Sequence, residues 1–437
     1  MSNRNFPSRS ALSRRTALKA GSAGIASILL SRQAPAVIAQ DQVEISFAGI
    51  RIFGDDPMPA LLAQFEEENP NISVRYIELP TPNNSTEIHQ YLVTSLNAQN
   101  GEPDVFTQDI IWIAEFGAAG LSAPLEQFGV GETETAEYFP GLIEACTYQD
   151  QLVGWPWFVD AGFLYYRSDL LDAHGLDAPA TWDDLIGAAT EVMAAEENPE
   201  LLGFLWQARQ AEVLVCDWVE FLGSAGGRVL TDGEVTVNSE AAVSALQLMQ
   251  DLIYTHQITP EAVLTYDEEP SRLPFTAGNG VFLRNWSYVY AIAQNPDESR
   301  IVDQIGYQPL PMFADGENAA CLGGYQFGLN ATSAHPEEAF QLLQFLSGPE
   351  AQKTLALQVG VAPTRQAVYE DAELGEQNPF MVGLRDVFTG AIPRPVHPAY
   401  PQISLAIQSA ISGALTNQTP PQEALDSLAE EITFITG

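Results

Sequence analysis

The chain has 437 residues, 46% of them hydrophobic, with 57 acidic against 18 basic side chains and a formal net charge of −39. Six of the basic residues lie in residues 1–40 with no acid among them, so twelve remain beyond that point, and Lys353 is the only lysine there. A surface this anionic repels phosphate backbones and anionic lipid, which excludes nucleic acid and membrane headgroups as partners; it suits a salt-rich medium, where screening weakens self-repulsion.

In chain order, Ser13-Arg14-Arg15-Thr16-Ala17-Leu18-Lys19 resembles the twin-arginine export motif, departing from it at Ala17. A short apolar run from Ala20 to Leu30 follows, and Val37-Ile38-Ala39 offers small residues for cleavage. That run is far below the roughly 20 residues a bilayer requires. No cysteine in residues 1–40 could carry a lipid. The expectation is a twin-arginine-type signal peptide over residues 1–39, with a soluble periplasmic protein after it and no membrane insertion.

The roughly 400 residues that follow exceed one compact core and predict two domains. Val43-Glu44-Ile45-Ser46-Phe47 alternates as a strand; Met58, Leu61, Leu62 and Phe65 mark an amphipathic helix, and Ile72-Ser73-Val74-Arg75-Tyr76 alternates again. Ile88, Leu92 and Leu96 predict a second helix, before a short strand at Asp104-Val105-Phe106. This rhythm predicts an α/β architecture with a mostly parallel sheet covered by helices on both faces. Further on, Ser168 reads as the cap of a short helix ending near Gly175, and Thr181-Trp182-Asp183-Asp184 as a capping box with Asp in place of Glu. Glu240 to Tyr254 reads as a long helix, while Pro336 and Pro349 stand where first helical turns start.

Chemistry is densest at Gly154-Trp155-Pro156-Trp157-Phe158-Val159-Asp160-Ala161-Gly162-Phe163-Leu164-Tyr165-Tyr166-Arg167. Indoles beside a carboxylate suit a sugar, whose C–H face stacks on an aromatic ring while its hydroxyls donate to oxygens. The same residues also suit a strand that packs its aromatics into a core. The segment resembles the hinge-and-strand region of the bacterial periplasmic solute-binding proteins, in their trehalose/maltose-binding branch. Gly101-Glu102-Pro103-Asp104-Val105-Phe106-Thr107-Gln108-Asp109 resembles the family's "PDV…D" strand, and Asn285-Trp286 its strand end with a sugar-stacking tryptophan. Leu322-Gly323-Gly324-Tyr325 resembles its Gly-Gly-Trp turn, with Tyr for Trp, and Ile392-Pro393-Arg394-Pro395 carries the matching arginine. Ser333 to Lys353 resembles the late helical segment.

The resemblance implies a two-lobed periplasmic binding protein fold with an interlobe ligand cleft. One lobe would hold residues 40–150 plus about 310–360, and the other 151–309 plus about 361–437, with three crossings as the hinge. It further implies the substrate-binding component of an ABC importer, closing around a neutral glucoside and partnered by the permease's transmembrane subunits. No catalysis, cofactor or metal is implied, and the protein is expected to be a monomer. The implied ligand contacts are Asp109 and Asp160 as bidentate acceptors, Trp286, Trp157 and Tyr325 as apolar faces, Gly324 as a close backbone approach and Arg394 as a donor. Each has a plainer reading: Asp109 as a helix N-cap, Trp286 and Tyr325 as core, Arg394 as a surface ion pair. The branch's early acidic ligand falls near Phe53-Gly54-Asp55-Asp56 in uncertain register, and an arginine usual in the preceding helix is replaced near Ile88 and His89.

Rival functions are a secreted glycoside hydrolase using Asp109 and Asp160, the same fold with an anionic sugar, or the same fold with glucosylglycerol or another compatible solute. No hydrolase, zinc or phosphate-loop motif accompanies the carboxylates, and the five histidines are isolated. Cys146, Cys216 and Cys321 read as buried small apolar residues. One disulfide among them is compatible with the sequence, which does not assign it.

Overall fold

The computed structural model describes residues 42–52, 56–231, 233–389 and 391–437. Residues 1–39, expected to be a signal peptide, and Phe53, Gly54 and Asp55 lie outside the described residues. Two sheets organise the chain. In the first, the strand order is Ile72–Leu79, Val43–Ile50, Val105–Asp109, Tyr325–Leu329, Trp155–Pro156. In the second, it is Ile305–Gln308, Phe163–Arg167, Gly280–Asn285, Leu202–Leu205.

The expected helices form where apolar spacing and caps place them. Met58–Glu68 buries Met58, Leu61, Leu62 and Phe65. Ser85–Asn97 buries Ile88, Leu92 and Leu96. The Thr181 capping box forms, with the Asp184 N–H donating to Thr181 Oγ1 at 3.1 Å and the Thr181 N–H to Asp184 Oδ2 at 3.0 Å. Glu240–Tyr254 has the expected bounds, and Pro336 and Pro349 open helices ending at Leu346 and Gln358. Ser168 is the first helical residue and not the cap expected, that position being Arg167, which makes no side-chain cap bond; Gly175 closes the helix at φ +66°.

The expectation of a mostly parallel sheet is corrected. Val43–Ile50 runs parallel to both neighbours, but Tyr325–Leu329 runs antiparallel to Val105–Asp109 and to Trp155–Pro156. In the second sheet, Gly280–Asn285 is parallel only to Leu202–Leu205. Late strands inserted into sheets begun by early ones reverse direction, and period-two alternation does not encode direction.

Each sheet has its own core. Phe47, Phe106, Trp155, Trp157, Phe327 and Leu343 lie in the core of the first sheet. A second core joins Trp182, Phe204, Trp206, Trp218 and Phe282 to helices Glu212–Ser224, Glu240–Tyr254, Tyr400–Leu415 and Pro421–Thr436. The chain leaves the first sheet after Pro156, enters the second at Phe163 and returns to the first at Tyr325. Ala362–Pro363 pairs with Phe158–Val159 beside this passage. Among the described residues, no helix is long and apolar enough to cross a membrane.

Candidate functional site

Strand ends and the loops after them meet around a cavity of 330 Å³, within the size range of small-ligand sites. Asp109, Phe158, Asp160, Trp286, Gly324, Tyr325 and Arg394 line it, joined by Asn83, Arg209, Glu212, Cys216, Glu268 and Tyr288. Six of the seven residues singled out from sequence are thus brought together from chain positions nearly 300 apart.

Trp157 is the exception. Its side chain is 0% exposed and packs on Phe158 and Phe327, with ring centroids 5.0 and 4.9 Å away. Strand alternation sends its neighbour Phe158 to the cavity and Trp157 into the core of the first sheet. The core reading is the correct one for this tryptophan.

Asp109 ends a fully buried strand and caps the turn that follows, accepting the Ile111 N–H at 3.3 Å. The plainer N-cap reading therefore holds for Asp109, whose Oδ1 also accepts from Arg394 Nη2 at 3.3 Å. Burial pushes the Asp109 carboxyl up to about 6, against the opposing pull of Arg394. Asp160 likewise rises to about 6 by burial, opposed by the backbone N–H groups of Ser287 and Ala161. Those donors reach its Oδ1 at 3.0 and 2.8 Å, leaving Oδ2 outside these bonds.

Trp286 follows the strand Gly280–Asn285. The Asn285 side chain accepts the Trp286 N–H at 2.8 Å, and the Tyr165 hydroxyl donates to the Trp286 carbonyl at 2.9 Å. The Arg284 guanidinium lies 4.2 Å from the ring centroid, a cation–π contact that fixes the indole from the protein side. Tyr325 meets Trp112 edge-on and stacks on Phe158 at 6.0 Å. Gly324 has φ +116°, and a Cβ there would stand 2.3 Å from the Phe158 carbonyl oxygen. What demands glycine is the crossing of two chain segments, beyond any approach to a ligand.

Arg394 is buried and branched. Its Nη1 donates to Glu212 Oε1 at 2.8 Å and its Nη2 to Asp109 and to the Leu322 carbonyl, while Nε is buried without a hydrogen-bond partner. Glu212 also accepts from Tyr400 and Ser404 on the C-terminal helix pair. Sequence reading missed Glu212: an acid in the first turn of a helix is ordinary there, and nothing local marks the arginine 182 residues away. It also missed the Pro82-Asn83-Asn84-Ser85 turn, which a cluster of turn formers after a strand does signal. Asp56 accepts the Met58 N–H at 2.9 Å and is not among the cavity lining. The described residues contain no cluster of His, Cys, Asp or Glu able to hold a metal ion.

This geometry, a ligand-sized cavity at strand ends between two sheet cores, is that of a two-lobed binding protein. The profile of the bacterial extracellular solute-binding protein family matches residues 54–353, and the chain belongs to that family. It is therefore the substrate-binding component of an ABC transporter, periplasmic and not an enzyme. A Deinococcus radiodurans protein described as a probable ABC transporter-binding protein is 38% identical over 350 residues, covering 78% of this chain and 82% of its own. Maltose-bound MalE3 of T. maritima superposes with a TM-score of 0.82 at 41% identity, covering 90% of this chain and 99% of that one. A Thermotoga lettingae solute-binding protein bound with α-D-tagatose superposes with a TM-score of 0.80 at 25% identity, covering 91% and 100%.

Proposed function

We propose that the cavity takes a neutral glucoside of the trehalose or maltose type and that the two lobes close around it. The carrying observation is the make-up of the lining: carboxylates Asp109, Asp160, Glu212 and Glu268 face two arginines, with Phe158, Trp286 and Tyr325 beside them. Carboxylates accept from sugar hydroxyls, and each charge-assisted bond in a dry site is worth roughly 1.5–3 kcal/mol. The aromatic faces supply area for a ring. An anionic sugar is disfavoured, since Arg394 is already held by two acids and Arg209 pairs with Asp267 at 3.3 Å. The similarity to maltose-bound MalE3 supports the same ligand class.

In this reading Asp109, Asp160, Trp286, Gly324, Tyr325 and Arg394 contact ligand. Lobe 1 comprises residues 42 to about 158 with about 325–360, because Trp155–Pro156 pairs within the first sheet; lobe 2 comprises about 159–324 with about 361–437, because Leu310, Ala319 and Cys321 pack in the second core, which moves both bounds expected from sequence. Sugar binding favours the closed state by its differential affinity for it, and the permease reads that state. Residues 1–39 direct twin-arginine export, the acidic composition keeps the protein solvated in high salt, and it acts as a monomer.

Calorimetric titration in high salt across maltose, trehalose, sucrose, glucosylglycerol and glycerol 3-phosphate tests the reading. Micromolar or tighter binding of a neutral disaccharide, recovered intact, is the expected result. Preference for glucosylglycerol would keep the site and change the ligand; binding of the phosphate alone would overturn it.

A further inference from the structure

The helix Glu212–Ser224 turns one face toward the segment from Ala320 to Gly323. Glu212, Cys216 and Glu220 recur every four residues and so share a face. At one end of it, Glu212 holds Arg394, whose Nη2 reaches the Leu322 carbonyl at 3.4 Å. At the other end, the Cys321 N–H donates to Glu220 Oε1 at 3.1 Å. Cys216 lies between these two anchors, so residues 321–322 run along its face of the helix, and the two cysteines share one core. Cys216 also lines the ligand cavity, so it is reached from the cleft, with Cys321 buried behind it. Cys146 belongs to the core of the first sheet, away from both.

We propose that Cys216 and Cys321 are a dithiol site beneath the ligand cavity that closes to an intramolecular disulfide by exchange with a small-molecule disulfide. The Cys216 thiolate attacks one sulfur of the small disulfide and expels its other half as a thiolate, which takes up a proton. The Cys321 thiolate then attacks the Cys216 sulfur of the mixed disulfide and expels the second half. Two cysteine thiols lose two electrons and two protons, and one small disulfide is reduced to two thiols. The periplasm is oxidising enough to sustain such a bond.

The bond would tie the start of a cavity helix to the segment that backs Arg394, since Cys321 also bridges to Ile392. Closing the long loop between the two cysteines restricts the unfolded chain, so the oxidised form is the more stable one. The neighbouring Cys321 thiol, and then burial, hold the Cys216 thiol above its ordinary value. Exchange is therefore slow, on the scale of hours.

The test incubates the native full chain with oxidised glutathione, then titrates thiols after denaturation and maps the peptides. Of the three thiols, one is expected to remain, with Cys216 and Cys321 peptides joined and a melting midpoint several degrees higher that reverts on reduction. Cys146→Ala should leave no titratable thiol after oxidation. Cys321→Ser should retain two cysteines without a cross-link, and Cys216→Ser serves as the alternative should that variant fold poorly. Three remaining thiols, a stable glutathione adduct on Cys216, or a cross-link through Cys146 would each overturn the proposal.

Discussion

Arg284 and Arg394 are both buried, and each stands between two carboxylates, yet their surroundings differ. Arg284 donates through Nε and Nη2 to Glu220 at 2.6 and 2.5 Å and through Nη1 to Gln207 at 2.9 Å, with Asp217 3.6 Å away. Every nitrogen of its guanidinium is engaged within the protein. Arg394 has looser bonds to Asp109 at 3.3 Å and to Leu322 at 3.4 Å, and its Nε has no partner. It also borders the cavity, which Arg284 does not. A fully satisfied buried cation serves the fold, whereas donors left over at a cavity wall are capacity for a ligand.

Arg284→Met should be the most damaging change, because it leaves Glu220 and Asp217 buried without their cation. A stability loss of about 3–5 kcal/mol is expected, read as a lower urea midpoint. An unchanged midpoint would show that the cluster does not hold the fold. Gly162→Ala probes the same cluster, since the new Cβ would stand 2.0 Å from Glu220 Oε1.

Arg394→Gln should invert that pattern. Losing a charge-assisted donor in a dry site costs about 1.5–3 kcal/mol of binding, roughly ten- to a hundredfold in sugar affinity. Its unfolding midpoint should move less than that of Arg284→Met, because opening to the cavity lets water reach Asp109 and Glu212. Equal loss of stability in the two variants would erase the distinction between the arginines.

Asp109→Ala should weaken sugar binding tenfold or more, about 1.4 kcal/mol per decade, with circular dichroism unchanged. Unaltered affinity would remove Asp109 from the site. Trp286→Ala should also weaken binding; unfolding in its place would make that indole a core residue.

The smallest effects are those of pH. Asp109 and Asp160 are each raised to about 6 by burial. A raised carboxyl means the folded state holds protons that the unfolded state has released, so their contribution to stability falls as pH rises from about 4 to about 6. Sugar hydroxyls donate to the ionised form, so affinity should fall as pH drops below about 6. Flat affinity between pH 5 and 7 would show that neither carboxylate accepts from the ligand.

Much of this is legible in the sequence. The helix Glu240–Tyr254, the Thr181 cap and the prolines at 336 and 349 depend on neighbours within a few residues. That Asp109, Trp286 and Arg394 line the cavity is foreshadowed because strand ends and short motifs are local too. Trp157 was misread because it is one residue from Phe158, and a one-residue step in a strand reverses the side chain. Glu212 was missed because its partners, Arg394, Tyr400 and Ser404, are distant in sequence.

The sequence by itself determined the element types, the excess of acid over base and the six residues that meet in the cavity, because periodicity, caps and motifs are written in short windows. Tertiary structure alone decided strand direction, the sorting of the two arginines and the packing of Cys321 against the helix that carries Cys216. Each of these depends on which distant segments share a sheet or a helix face, and that is settled by packing the whole chain.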